Sequence, residues 1–109
     1  MKKNVILAIT ILLTICANAA TVDTVAIYSK AMNKSLKCVV IKPSGYESGS
    51  NRYPVVYLLH GHSGDYSNWV ARVPDLKTYV DQYQVMVVCP DGGFNSWYLD
   101  SPVDTASKF

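Results

Sequence analysis

The chain has 109 residues, 50% of them apolar, with ten Lys and Arg set against eight Asp and Glu. Lys2 and Lys3 supply the whole excess of positive charge, so everything after them is formally neutral. That balance gives no reason to expect a nucleic acid or an anionic membrane surface as a partner.

The first segment reads as an export signal over residues 1–20. Lys2 and Lys3 form a basic start, Val5 to Ala17 is an apolar stretch, and Ala17-Asn18-Ala19 fits the small-x-small rule for cleavage near Ala19 or Ala20. The apolar stretch is shorter than the ~20 residues a membrane-spanning helix needs, so no stable span is expected. Ile15, before Cys16, is bulky where a lipoprotein signal has a small residue. The expected mature chain, residues 21–109, is periplasmic or secreted, and it keeps Cys38 and Cys89 in the apolar runs "KCVVI" and "VMVVCP". An oxidising compartment permits a disulfide, but buried thiols acting as small hydrophobes are the simpler reading of such runs.

Thr24 to Met32 and Leu36 to Pro43 are β-rich segments separated by "NKS", which predicts an antiparallel hairpin. Ser44 to Pro54 is a polar loop with two glycines and a closing proline. Val55 to Gly61, "VVYLLHG", is a nearly continuous apolar run of the kind found in a parallel strand covered on both faces. Leu76, Tyr79, Val80 and Tyr83 fall at helical spacing in Pro74 to Tyr83, and Gln84 to Gly93 reads as a second buried strand. Strand, loop, helix and strand make a βαβ unit, so the expected class is α/β. "FNSWYLDSP" is an aromatic loop, and Asp104 reads as the N-cap of a further helix.

The loop "HGHSGDYSNW", His60 to Trp69, holds the residues that could carry chemistry. Gly61-His62-Ser63-Gly64-Asp65 only approaches the G-x-S-x-G pattern of a serine nucleophile, because the second glycine comes one place early and Ser63 precedes a loop. His60-x-His62 after an apolar strand also fits the start of a dinuclear zinc motif, H-x-H-x-D-H. Here Asp65 lies one residue too far along, Tyr66 replaces the last histidine, and a catalytic zinc generally takes three protein ligands.

Taken together, the hairpin, "PVVYLLHGHSGDYSNW", the helix, "VMVVCPDGG" and "SWYLDSP" resemble the N-terminal part of the esterase D-like branch of the α/β-hydrolases. That branch includes S-formylglutathione hydrolases, feruloyl and acetyl-xylan esterases and mycolyltransferases. The resemblance implies an antiparallel hairpin leading into a mostly parallel sheet, incomplete here because the chain stops before the nucleophile elbow. It implies a serine esterase or acyltransferase acting on a small ester or an acylated, for instance feruloylated, plant carbohydrate. It calls for no cofactor or metal and says nothing of oligomeric state. By the same resemblance, the main-chain N–H of His62 is half of an oxyanion hole and His60 braces the loop. Gly61, Trp69, Trp97, Tyr98 and Asp100 are the expected substrate-binding residues. Without a nucleophile the 109-residue chain is expected to be inactive alone. A zinc hydrolase using His60 and His62, and a noncatalytic carbohydrate-binding module, are the alternatives from other classes.

Overall fold

The computed structural model describes residues 19–94 and 97–103. Residues 1–18 of the expected signal, Asn95 and Ser96 of the aromatic loop, and the Asp104 cap lie outside the described residues. Strands β1 (Thr21–Ser29) and β2 (Lys34–Lys42) form the antiparallel hairpin. The turn between them uses Asn33 at φ 49°, a left-handed position that asparagine tolerates. Strand β3 (Val55–Tyr57) is followed by a short helix α1 (Asn68–Arg72), helix α2 (Leu76–Tyr83) and strand β4 (Met86–Pro90).

The sheet order is β1-β2-β4-β3. β2 and β4 are antiparallel, β3 and β4 parallel, so the second half of the sheet is a βαβ unit. Helix α2 ends at Gln84, in the left-handed region at φ 49°, with its N–H on the carbonyls of Asp81 and Val80. The left-handed cap turns the chain back toward β4.

The register divides the sheet into two faces. Val39 and Ile41 of β2 stand opposite Cys89 and Val87 of β4, and these four pack with Ala20, Leu76 and Val80 into the core beneath α2. Ile41 and Val80 are completely buried. Asp81 fixes α2 to the sheet, its carboxylate oxygens accepting the N–H of Ala20 at 2.8 Å and of Ser44 at 2.7 Å. Burial pushes the Asp81 carboxyl up, but the donated hydrogen bonds from Ser44 and Ala20 outweigh it and hold the group below its ordinary value.

β3 departs from its expected form in two ways. Its ladder is short, because parallel bonding from β4 runs through the Met86 N–H on Pro54, with the N–H of Leu58 returning to Val88. The next donor in that alternation is Pro90, which has no N–H. The strand is also not covered on both faces among the described residues, for Val55, Val56 and Tyr57 are 45%, 41% and 67% exposed.

Cys38 and Cys89 are both buried and free. Cys38 pairs with Pro90 and Cys89 with Val39, so the two thiols project from opposite faces of the sheet. Side chains that leave the sheet in opposite directions cannot close a disulfide without moving backbone. Burial pushes the Cys89 thiol up to about 11, and burial also raises Cys38, so both stay protonated. With Cys16→Ser removing the remaining cysteine, thiol titration of the folded chain should show no fast-reacting group, and titration in denaturant should show both. A Cys38–Cys89 disulfide detected by mass after oxidation would contradict the register.

Candidate active site

The site is the turn at the C-terminal end of β3, held from beneath by a knot of three residues. His60 is buried, with 7% of its surface exposed. The N–H of Gly92, just past β4, donates to His60 Nε2 at 2.9 Å. An Nε2 that accepts leaves the proton on Nδ1, which donates to the Gly61 carbonyl at 2.9 Å. Asp91 Oδ1 also lies 3.5 Å from Nε2, but that atom is already an acceptor, and the same carboxylate oxygen takes the Gly93 N–H at 2.9 Å. We therefore read the Asp91 contact as a neighbour of the imidazole and not as an ion pair.

Tyr98 closes the knot. Its hydroxyl accepts the His60 N–H at 3.1 Å and its ring meets the His60 imidazole edge-on at 5.4 Å. The ring also covers Gly92 so closely that a Cβ there would lie 2.4 Å from it. Tyr98 adopts φ 55°, uncommon for a bulky residue, so its placement is maintained by these contacts against local preference. Burial raises the Tyr98 hydroxyl above its ordinary value, which keeps it protonated.

The knot leaves a polar turn above it. Ser63 donates its N–H to the Phe94 carbonyl at 2.8 Å and Gly64 to the Gly61 carbonyl at 3.0 Å. The N–H groups of Gly61 and His62 meet no acceptor among the described residues, and both residues are exposed. The His62 ring lies against Phe94 and Trp97, with centroids 5.7 and 6.5 Å away. Gly61 has open space where a Cβ would stand, whereas a Cβ at Gly64 would come within 2.5 Å of the Asn68 amide.

Asp65 organises the second half of the loop. Its Oδ1 accepts the Ser67 N–H at 2.7 Å and the Ser67 hydroxyl at 2.6 Å, an Asx turn that starts α1. The hydroxyl and N–H of Ser67 together hold the Asp65 carboxyl below its ordinary value. Both His60 nitrogens and the Asp65 carboxylate are therefore committed to loop contacts. Among the described residues no group of three His, Cys, Asp or Glu side chains could share a metal ion. Ser63 sits at φ 60° on an exposed turn, and its hydroxyl bonds to no imidazole among the described residues.

A cleft of about 200 Å³ opens beside the turn, lined by His60, Gly61, Asn68, Trp69, Arg72 and Val73. Of the residues singled out in the sequence, Gly61, Trp69 and His60 line it. Trp69 is fixed there by its Nε1–H on the Leu59 carbonyl at 3.1 Å. Trp97 stands apart, 74% exposed beside His62, while Tyr98 is turned into the knot and Asp100 is exposed. Arg72 was not singled out in the sequence, and Asn68 was seen only as part of the loop, because α1, five residues long, is too short to show a helical period. The Asp65-x-Ser67 spacing was the signal that could have revealed it.

Residues 29–108 match the protein family described as "Putative esterase". The chain belongs to that esterase family. It is 34% identical over 82 residues to an acetyl esterase of Caldicellulosiruptor saccharolyticus, an alignment covering 67% of this chain and 29% of the relative. Among solved structures, a ferulic acid esterase superposes with a TM-score of 0.67 at 28% identity, over 77% of this chain and 37% of that one. An S-formylglutathione hydrolase from Agrobacterium tumefaciens superposes with a TM-score of 0.68. Its 16% identity, over 84% of this chain and 39% of that one, speaks for the fold alone. The sheet is thus that of the N-terminal part of an esterase D-like α/β-hydrolase, and the chain spans about a third of the length of these relatives.

The geometry of the knot separates two glycines that look alike in the sequence. Gly92→Ala must displace the Tyr98 ring and is expected to cost ~1–3 kcal/mol in urea unfolding, as overpacking does elsewhere. Gly61→Ala, with open space around it, should shift the midpoint little. Equal effects at the two positions would show that Tyr98 does not seal the turn.

Proposed function

We propose that this chain carries the oxyanion-binding half of an exported serine carboxylic-ester hydrolase acting on small esters or on acylated plant carbohydrates. The observation that carries the reading is the distribution of donors on the turn after β3. The N–H groups of His60, Ser63 and Gly64 are bonded to protein acceptors, while those of Gly61 and His62 have none among the described residues. Acyl transfer develops negative charge on a carbonyl oxygen, and fixed main-chain donors stabilise it without reorganising. In this reading the His62 N–H is one such donor. Its imidazole, resting on Phe94 and Trp97, helps to shape an aromatic border.

The supporting chemistry is consistent with a serine enzyme. A nucleophile elbow of the G-x-S-x-G type is not present in these 109 residues, and we assign nucleophile, acid and base to sequence other than this segment. Gly61 and Trp69 line the cleft beside the donor, with Trp97 and Asp100 exposed on the neighbouring loop, and we assign substrate contacts to these four, while Tyr98 acts through His60 as the support of the turn. The names of the relatives, an acetyl esterase and a ferulic acid esterase, support an ester of a small carboxylic acid as the substrate class. Lys2, Lys3 and the apolar stretch before Ala17-Asn18-Ala19 support export, with a leader that ends near Ala19 or Ala20 and the hydrolase domain starting after it. No helix among the described residues is long and apolar enough to cross a membrane.

Two measurements test the reading. The 109-residue chain is expected not to hydrolyse p-nitrophenyl acetate, and activity lost in Ser63→Ala would identify Ser63 as a nucleophile instead. In a polypeptide that joins this segment to a nucleophile elbow, His62→Ala keeps the main-chain donor and should retain most activity. His62→Pro removes that donor and is expected to lower kcat by ~10²–10³, the usual effect of losing one oxyanion donor. Comparable severe losses in both variants would assign the work to the imidazole.

A further inference from the structure

We propose that leader cleavage falls at the Ala19–Ala20 bond, and that the α-ammonium created on Ala20 is received by the Asp81 carboxylate, so that processing ties the start of the mature chain to helix α2. The inference rests on the export reading but not on the esterase reading. The sequence favours this bond over the next one, because Ala17 and Ala19 then hold the two small positions, whereas a cut after Ala20 would place Asn18 at one of them.

The structure gives the bond its consequence. Ala19 is exposed, whereas Ala20 is 2% exposed and belongs to the core with Ile41, Val80 and Cys89. The Ala20 nitrogen already donates to Asp81 Oδ2 at 2.8 Å, while Oδ1 is held by the Ser44 N–H at 2.7 Å. Hydrolysis breaks the bond between the Ala19 carbonyl carbon and the Ala20 nitrogen. One water supplies hydroxyl to the carbon and hydrogen to the nitrogen, and the amine takes a further proton at neutral pH. The same nitrogen then meets the same carboxylate as an ammonium, so a bond assisted by the charge of the acceptor alone becomes one in which both partners are charged.

The surroundings suit a cation. Ala19 lines a cavity of about 170 Å³ with Thr21, Pro43, Ser44 and Glu47 among its walls, so its departure lets water reach the remaining ammonium hydrogens. Asp81 faces Lys77 on its own helix, and Glu47 of the cavity wall is bonded to Lys42, which also pairs with Asp23 at 2.6 Å. A cut one residue later would remove Ala20 from the core and leave Asp81 Oδ2 without this donor. Because Ala20 is buried once the sheet forms, the cut must come before folding, as it does for a chain threaded through an export channel.

The experiment exports the full 109-residue chain from a bacterial host and determines the N-terminus of the product by mass and sequencing. Ala20 as first residue is the expected result. A product starting at Thr21 or elsewhere overturns this inference and leaves export intact, while an uncut chain overturns both. The pairing is tested on the processed chain by the pH dependence of α-amine acetylation, in buffer and in urea. The amine should titrate above its urea value, and Asp81→Asn should abolish the difference. A folded-state value raised in this way contributes stability that is complete below the unfolded value of ~7.7–8.0 and is lost as pH rises through the folded one. An amine that titrates in buffer as it does in urea overturns the pairing.

Discussion

The parallel contact between β3 and β4, and its abrupt replacement by a side chain, is the constraint on which the site depends. Main-chain bonding carries the two strands together as far as the Leu58 N–H on the Val88 carbonyl. Pro90 cannot donate the next bond. Two residues past Leu58 the imidazole of His60 takes over, accepting the Gly92 N–H at Nε2 and donating its Nδ1–H to the Gly61 carbonyl. The backbone is thereby released from ladder geometry but not from the sheet. That is the requirement for a turn that aims main-chain donors outward and still holds them in place.

Polar satisfaction explains why His60 is buried at all. Unpaired polar atoms in a protein interior cost about 1–3 kcal/mol each, and here both ring nitrogens and the main-chain N–H have partners. The Tyr98 hydroxyl completes that set, which accounts for its left-handed backbone. A residue that looks in the sequence like one more aromatic in a binding loop is, in three dimensions, the support of the histidine beneath the turn.

The same economy of polar contacts organises the far end of the sheet. Asp81 lies on the amphipathic helix between Val80 and exposed residues, and its two oxygens collect the start of β1 and the exit of β2. Helix α2, the hairpin and the central strand are thus joined by one carboxylate above one apolar cluster. The opposite sheet face carries Cys38, Val55 and Tyr57, and the exposure of β3 there matches a chain that spans about a third of its relatives.

The order of elements was written in the sequence, because strand and helix periods differ and the hairpin, the helix around Val80 and the strand around Val88 each show theirs plainly. The family resemblance was legible for the same reason, since it lay in the spacing of "HGHSGDYSNW" and "VVCPDGG" between those elements. Helix α1 was not legible, since five residues started by an Asx turn leave no period. Nor was the length of β3, which depends on where Pro90 falls against Leu58 in the register. Tertiary structure alone decided which donors on the turn stay open, that Tyr98 and Gly92 hold His60, and that Cys38 and Cys89 face away from each other. Those outcomes follow from pairing between residues tens of positions apart, and local sequence sets what each segment can form, but not which atoms it will meet.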